Sequence, residues 1–209
     1  MPVDLTELLA PAHTAVVTME LQRGVIGDLA SIRLLADEVA ARGTLAAAGR
    51  LVEAARQSGA RVVHCTVEFR PDRAGSAANA PMLTAMSRIP GHLEVGSPAV
   101  QLVPELGPQP TDLIENRRHG MSPFGGTSLD ATLRNLGVRT VVAVGVSINI
   151  GIFGLVLEAV NHGYRVAVPT DAVAGIPADY ADAVLANSIA PLATLTTVEG
   201  VVATWGGAA

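Results

Sequence analysis

The chain has 209 residues, enough for one domain with a substantial core and short for two. Hydrophobic residues make up 49% of it and charged residues 16%, a balance that excludes a disordered or fibrous chain. The formal net charge of −5, with no run of Lys and Arg, argues against nucleic acid or an anionic membrane as the main partner and leaves a small molecule.

The opening MPVDLTELLAP has neither a basic region nor a long apolar stretch, so a signal peptide or anchor is not expected. No later apolar run is long enough to span a bilayer, and a cytoplasmic protein with no membrane contact is the expectation. A strand is predicted over residues 13–21, then a helix over 33–58 closed by Gly59, then a strand over 60–68. Cys65, the sole cysteine, lies mid-strand among apolar residues; it reads as a buried core thiol, and alone it can form no intramolecular disulfide. Residues 70–109, rich in Pro, Gly, Ser and Ala, form a long irregular excursion with one short helix at 80–86, the kind of segment that makes a lid or an oligomer contact.

Beyond it come a strand at 112–116, a helix at 128–136 started by Thr127, a strand at 139–146 and a helix at 149–162 closed by Gly163. A strand at 164–169, a helix at 178–190 with Asp179 near its start and a strand at 193–198 complete the series. Alternation of this kind builds βαβ units, and the strands are too apolar to keep a solvated face. The expected fold is therefore a single α/β domain, a three-layer αβα sandwich around a six-stranded, mostly parallel sheet. Its low charge and the apolar residues of the 70–109 excursion suggest a homo-oligomer.

In such a sheet, ligands bind beyond the carboxyl ends of the strands. Three stretches end there. The first strand runs into Glu20 and Gln22; the third into Asn116, Arg117, Arg118 and His119; the fourth into Gly145, Val146, Ser147 and Asn149, with a helix beginning inside that turn. Glu68 closes the second strand at the mouth of the same crevice, where it can select substrate or form a solvated salt bridge. The spacing of Gly145, Gly151 and Gly154 does not fit the dinucleotide fingerprint and no phosphate-binding loop is present, so no nucleotide cofactor is expected. His119, beside Arg118, is the histidine best placed for acid–base work.

The segments AVVTMELQ, SPFGGTSLDATLRNLGVRTVVAVGVSINIG and EAVNHGYRVAVPTDAVAG, in this order and spacing, resemble the isochorismatase-like hydrolase superfamily over nearly the whole chain. Most of that family is implied to use an Asp, a Lys and a nucleophilic Cys. The resemblance places Glu20, Arg118 and Gly151 at those three positions, so all three differ, and Gly151 removes the thiol, as in isochorismatases that cleave a vinyl ether by water attack. It further implies a cis peptide at Val146-Ser147, backbone N–H groups of Ser147 and Gly151 aimed at an oxyanion, and Phe124 on an aromatic pocket wall. It carries no metal signature into this chain, because the Asp-x-His pattern after the second strand is missing.

A guanidinium forks onto a carboxylate and keeps it charged, so Glu20 and Arg118 are expected close together, with Glu20 better suited to act as a base or anchor than as an acid. Glu20 would position or activate water while Arg118 holds a substrate oxygen. Two other functions stay open at this point: a non-hydrolytic acid–base enzyme such as an isomerase or cyclase, and a ligand-binding member of the fold without chemistry.

Overall fold

The computed structural model describes residues 3–206. Seven strands form one sheet: β1 (Thr14–Met19), β2 (Arg61–Val67), β3 (Leu113–Arg117), β4 (Thr140–Val146), β5 (Arg165–Pro169), β6 (Val173–Ala174) and β7 (Thr194–Thr196). Their order is β3-β2-β1-β4-β5-β7, with the two-residue β6 beside the end of β4, and all these strand pairings are parallel. The fold is the expected parallel α/β sandwich, with β6 as the strand too short to be read from an apolar run.

Successive side chains of a strand point to opposite faces, and the core divides accordingly. Val16, Val62, Val142 and Val144 face one layer, packed by Leu35 and Val39 of α2 (Arg33–Ala41), by Ala48, Leu51 and Val52 of α3 (Thr44–Ser58) and by Trp205. Ala15, Val17, Val63 and Val141 face the other, where Leu129 and Leu133 of α5 (Leu129–Asn135) and Leu155 and Val156 of α6 (Phe153–Asn161) cover them. Helices α1 (Leu5–Leu8) and α8 (Val198–Gly206) belong to the first layer and α7 (Ala178–Val184) to the second. The remaining helix, α4 (Pro81–Ser87), lies within the 70–109 excursion.

The helix expected over 33–58 is two helices. Gly43 takes φ 66° and lets the chain turn between α2 and α3. Gly59 and Gly163, both with positive φ, end α3 and α6 as their positions predict. The helix expected over 149–162 starts with a wide π-type turn, Ile148–Ile152, before α6 proper. In the 70–109 excursion Leu93, Val103 and Leu106 are buried, and Val95 is its one large apolar side chain that stands mainly in solvent. Met82, Leu83, Met86, Ile89, Val100 and Leu102 of the same segment are half-buried. No helix among the described residues is long and apolar enough to cross a membrane.

A buried polar relay runs from β1 through β2 to the start of β3. Thr18 Oγ1 and His64 Nδ1 are 2.8 Å apart, His64 Nε2 lies 3.3 Å from Asp112 Oδ2, and Arg56 forks onto the same carboxylate. Burial pushes the His64 pKa below its ordinary value, against the opposing pull of Asp112. Burial also opposes charge on Asp112, but hydrogen bonds from Arg56 and the Gln109 amide hold its carboxyl below the usual range. A neutral His64 must gain a proton in the unfolded chain before it does in the folded one. Stability is thus complete above the ordinary histidine pKa of 6.5 and declines as pH falls through it, with a further loss below the ordinary 3.8 of Asp112. Urea unfolding should show a lower free energy at about pH 5 than at about pH 7.5. His64→Gln should flatten that slope without abolishing it, since buried His92 is shifted in the same direction.

Candidate active site

The carboxyl ends of β1, β2, β3 and β4 surround a cavity of about 750 Å³ including its mouth. Glu20, the residue after β1, enters it from a left-handed backbone (φ 55°), a conformation that a non-glycine residue adopts only at a cost of order 1 kcal/mol and that recurs at functional positions. Its amide still donates to the Cys65 carbonyl (2.9 Å), which fixes the strand end beneath the carboxylate.

The cation beside Glu20 is Arg117, not Arg118. Arg117 Nη2 donates to Glu20 Oε1, and Arg117 Nε donates to the Gly120 carbonyl at 3.2 Å. The Arg117 side chain is only 4% exposed, against 20% for Glu20. Its Nη1 is buried without a hydrogen-bond partner, although buried polar groups almost always have one. Glu20 Oε2 likewise receives no protein hydrogen bond among the described residues. Nη1 is thus enclosed by protein, while Glu20 Oε2 stands in the cavity wall without a protein partner among the described residues.

Strand parity explains the exchange of arginines. Glu115 and Arg117 project to the buried side of β3, while Asn116 and Arg118 are exposed. Val67 pairs in register with Arg117, and Val67 and Phe69 both line the cavity, so Glu68 points away from it. Arg118 and His119 border a separate surface depression beside Glu158. There they anchor the excursion: Ser76 Oγ donates to the Arg118 carbonyl (2.6 Å) and the Ala77 amide to His119 Nδ1 (3.3 Å).

Gly151 and Ser147 do line the cavity, and the Val146-Ser147 peptide is cis. A Cβ built on Gly151 would lie 2.8 Å from the Val146 carbonyl oxygen and 3.1 Å from Met19 Cε. The place of a side chain is thus occupied from below, and Gly151 is demanded by its neighbours. Ser147 Oγ donates to Asn149 Oδ1 (2.6 Å), and Asn149 reaches back to the Ile176 carbonyl at 3.4 Å, so Asn149 shapes the turn and is not part of the cavity wall.

Residues 14–200 match the Isochorismatase domain. The chain belongs to the isochorismatase-like hydrolase family. It is 29% identical over 178 residues to a ureidoacrylate amidohydrolase of Rhizobium rhizogenes, covering 74% of this chain and 72% of that protein. It is 28% identical over 130 residues to a maleamate amidohydrolase of Pseudomonas putida, covering 60% and 57%. A solved isochorismatase family protein from Burkholderia thailandensis superposes with a TM-score of 0.77 at 26% identity, over 93% of this chain and 96% of that one.

Two residues expected at the ligand, Gln22 and Phe124, do other work here. Gln22 is fully buried; its amide donates to the Val67 and Val100 carbonyls (2.9 Å each) and its Oε1 accepts from the Val67 amide, so it ties the 70–109 excursion to the sheet and touches no ligand space. Phe124 is also buried, stacked on His162 with centroids 4.9 Å apart, and forms core under α5 and α6 rather than a cavity wall. Cys65 is buried, with its thiol pushed up to about 12 by burial. Iodoacetamide should leave Cys65 unmodified in the native protein and label it after urea unfolding, as read by mass spectrometry.

The sequence reading missed the walls. Met82 and Met86 of α4, with Phe69, Leu93 and Met121, supply apolar surface, and His92 adds a ring stacked on Phe69 with Nδ1 3.0 Å from Ser31 Oγ. Burial pushes the His92 pKa down, with Arg73 acting in the same sense. The methionines at 82 and 86 carried a usable signal, since their spacing of four within a predicted helix puts both on one face. Among the described residues no three His, Cys, Asp or Glu side chains group closely enough to hold a metal ion.

Proposed function

We propose that this family member hydrolyses a small acyl compound by direct attack of water, with Glu20 as general base and Arg117 as the donor to the reacting carbonyl oxygen. The observation that carries this reading is the Glu20–Arg117 pair in the cavity wall, with Glu20 partly exposed and its Oε2 without a protein hydrogen bond among the described residues. Glu20 Oε2 takes a proton from water as the water oxygen bonds to the carbonyl carbon. The Arg117 guanidinium donates to the carbonyl oxygen as negative charge gathers there, and the proton passes from Glu20 to the leaving group as the acyl bond breaks. No covalent enzyme intermediate is needed, in keeping with the crowded space at Gly151 and the buried Cys65. The amidohydrolase names of the relatives support an amide or ester as the bond cleaved.

The test is a turnover screen of the purified protein against small amides, esters and isochorismate, followed by hydroxylamine trapping and intact-mass spectrometry on any hit. Turnover with no acyl-enzyme adduct is the expected result; a trapped acyl group on the protein would overturn the direct-attack mechanism.

The ion pair itself favours a second reading. An arginine that engages Glu20 is also what a binding protein without chemistry would show. Tight binding of acyl compounds with no turnover of any of them would decide for that reading.

A further inference from the structure

The cavity wall has an uneven division of chemistry. Its polar side chains are Glu20, Arg117, Ser147 and His92, and everything that rises from them toward the mouth is hydrocarbon or thioether. Ser147 Oγ already donates to Asn149, and His92 Nδ1 is engaged by Ser31. The polar side chains left to meet a ligand are then Glu20, whose Oε2 has no protein hydrogen bond among the described residues, and the guanidinium of Arg117. A ligand with one oxygen-bearing head group meets this pair. A ligand with several further polar groups would bury them against Val25, Leu35, Phe69, Leu83 and Leu93, where each unpaired group costs roughly 1–3 kcal/mol. The walls that differ most from a rigid slot are the three methionines, Met82 and Met86 on α4 and Met121 opposite the strand ends; their unbranched thioethers adapt to a hydrocarbon outline and pack well against ring edges.

We infer that the site takes an apolar-bodied carboxylic acid derivative, an aromatic, alicyclic or medium-chain acyl group with a single carbonyl or carboxylate head on the Arg117 guanidinium and its body against Met82, Met86 and Met121. This rests on the hydrolytic reading of Glu20 and Arg117 for the reaction, but the choice of occupant rests on the walls. It separates this chain from relatives named for ureidoacrylate and maleamate, compounds dense in polar groups.

Calorimetric titration of the wild-type protein with benzoate, cyclohexanecarboxylate and hexanoate, against acetate and maleamate, tests the inference. Benzoate and cyclohexanecarboxylate are expected to bind at least about tenfold tighter than acetate or maleamate, a difference of about 1.4 kcal/mol. Benzoate should also shift the methionine methyl NMR signals of Met82, Met86 and Met121. Met82→Gln with Met86→Gln should weaken benzoate at least about tenfold while changing acetate little. Maleamate binding as tightly as benzoate, or benzoate binding without moving the three methyl signals, would overturn the inference.

The two proposals fail separately. If the apolar acids bind and their amides and esters are not turned over, the occupant stands and the reaction falls. If polar amides are hydrolysed while the apolar acids do not bind, the reaction stands and the occupant falls.

Discussion

Replacing Glu20 by glutamine should lower turnover by roughly 10²–10⁴-fold, the usual contribution of a positioned general base, while the fold and ligand binding persist. Glutamine has nearly the same shape and its carbonyl still accepts from Arg117 Nη2, so the contact that steadies both side chains survives. What disappears is an atom able to take a proton from water. The loss should therefore fall on kcat, with KM nearly unchanged. The companion variant Arg118→Ala should keep most of the activity, because that side chain is exposed on the opposite side of β3. Full turnover in Glu20→Gln, or an equal loss in Arg118→Ala, would refute the assignment.

Arg117→Met should have the larger effect on the folded state. The pair is mostly buried, and deleting one partner of such a pair leaves the other charge in a site shaped for two; costs of about 3–5 kcal/mol are typical, and the partial exposure of Glu20 places this one near about 3. For a chain of this size that corresponds to a fall in Tm of roughly 6–12 °C. Binding of a carboxylate should be lost with it, since the guanidinium is removed. The double variant Glu20→Gln/Arg117→Met separates the causes. With no charge left to strand, it should recover much of the lost Tm and none of the activity. A double variant as unstable as Arg117→Met alone would show that the arginine matters for packing rather than for charge.

Much of the fold was legible in the sequence because most of its strands are apolar runs; the edge strand β3, with Leu113, Ile114 and Asn116 exposed, departs from the expectation that no strand keeps a solvated face. The two-residue β6 was not legible, since its pairing with β4 is a matter of tertiary position and two residues carry no pattern. The break at Gly43 was hidden inside an apolar-periodic stretch that continues across it. At the site, the strand-end carboxylate and the glycine at 151 were found where expected, while the cation was displaced by one residue. Arg117 and Arg118 are adjacent and identical in type, so only the facing of β3, fixed by the buried Glu115 bonded to Ser128 and Thr132, tells them apart. Gln22 and Phe124 show the opposite limit. Each sits beside a motif that belongs to the ligand region, and each is turned away by a local partner that no spacing reveals: the Val67 backbone for one, the His162 ring for the other.

The crowding around Gly151 bears on how this branch of the family could change. A cysteine introduced at 151 alone would drive its Cβ into the Val146 carbonyl and the end of Met19, so the thiol would arrive with a displaced turn. A smaller residue at 19 would clear the side-chain half of that obstacle only, and without the thiol it would leave a void under the glycine. Positions 19 and 151 are thus epistatic: each single step is penalised, and any side chain at 151 requires coordinated changes in β1 and in the turn after β4.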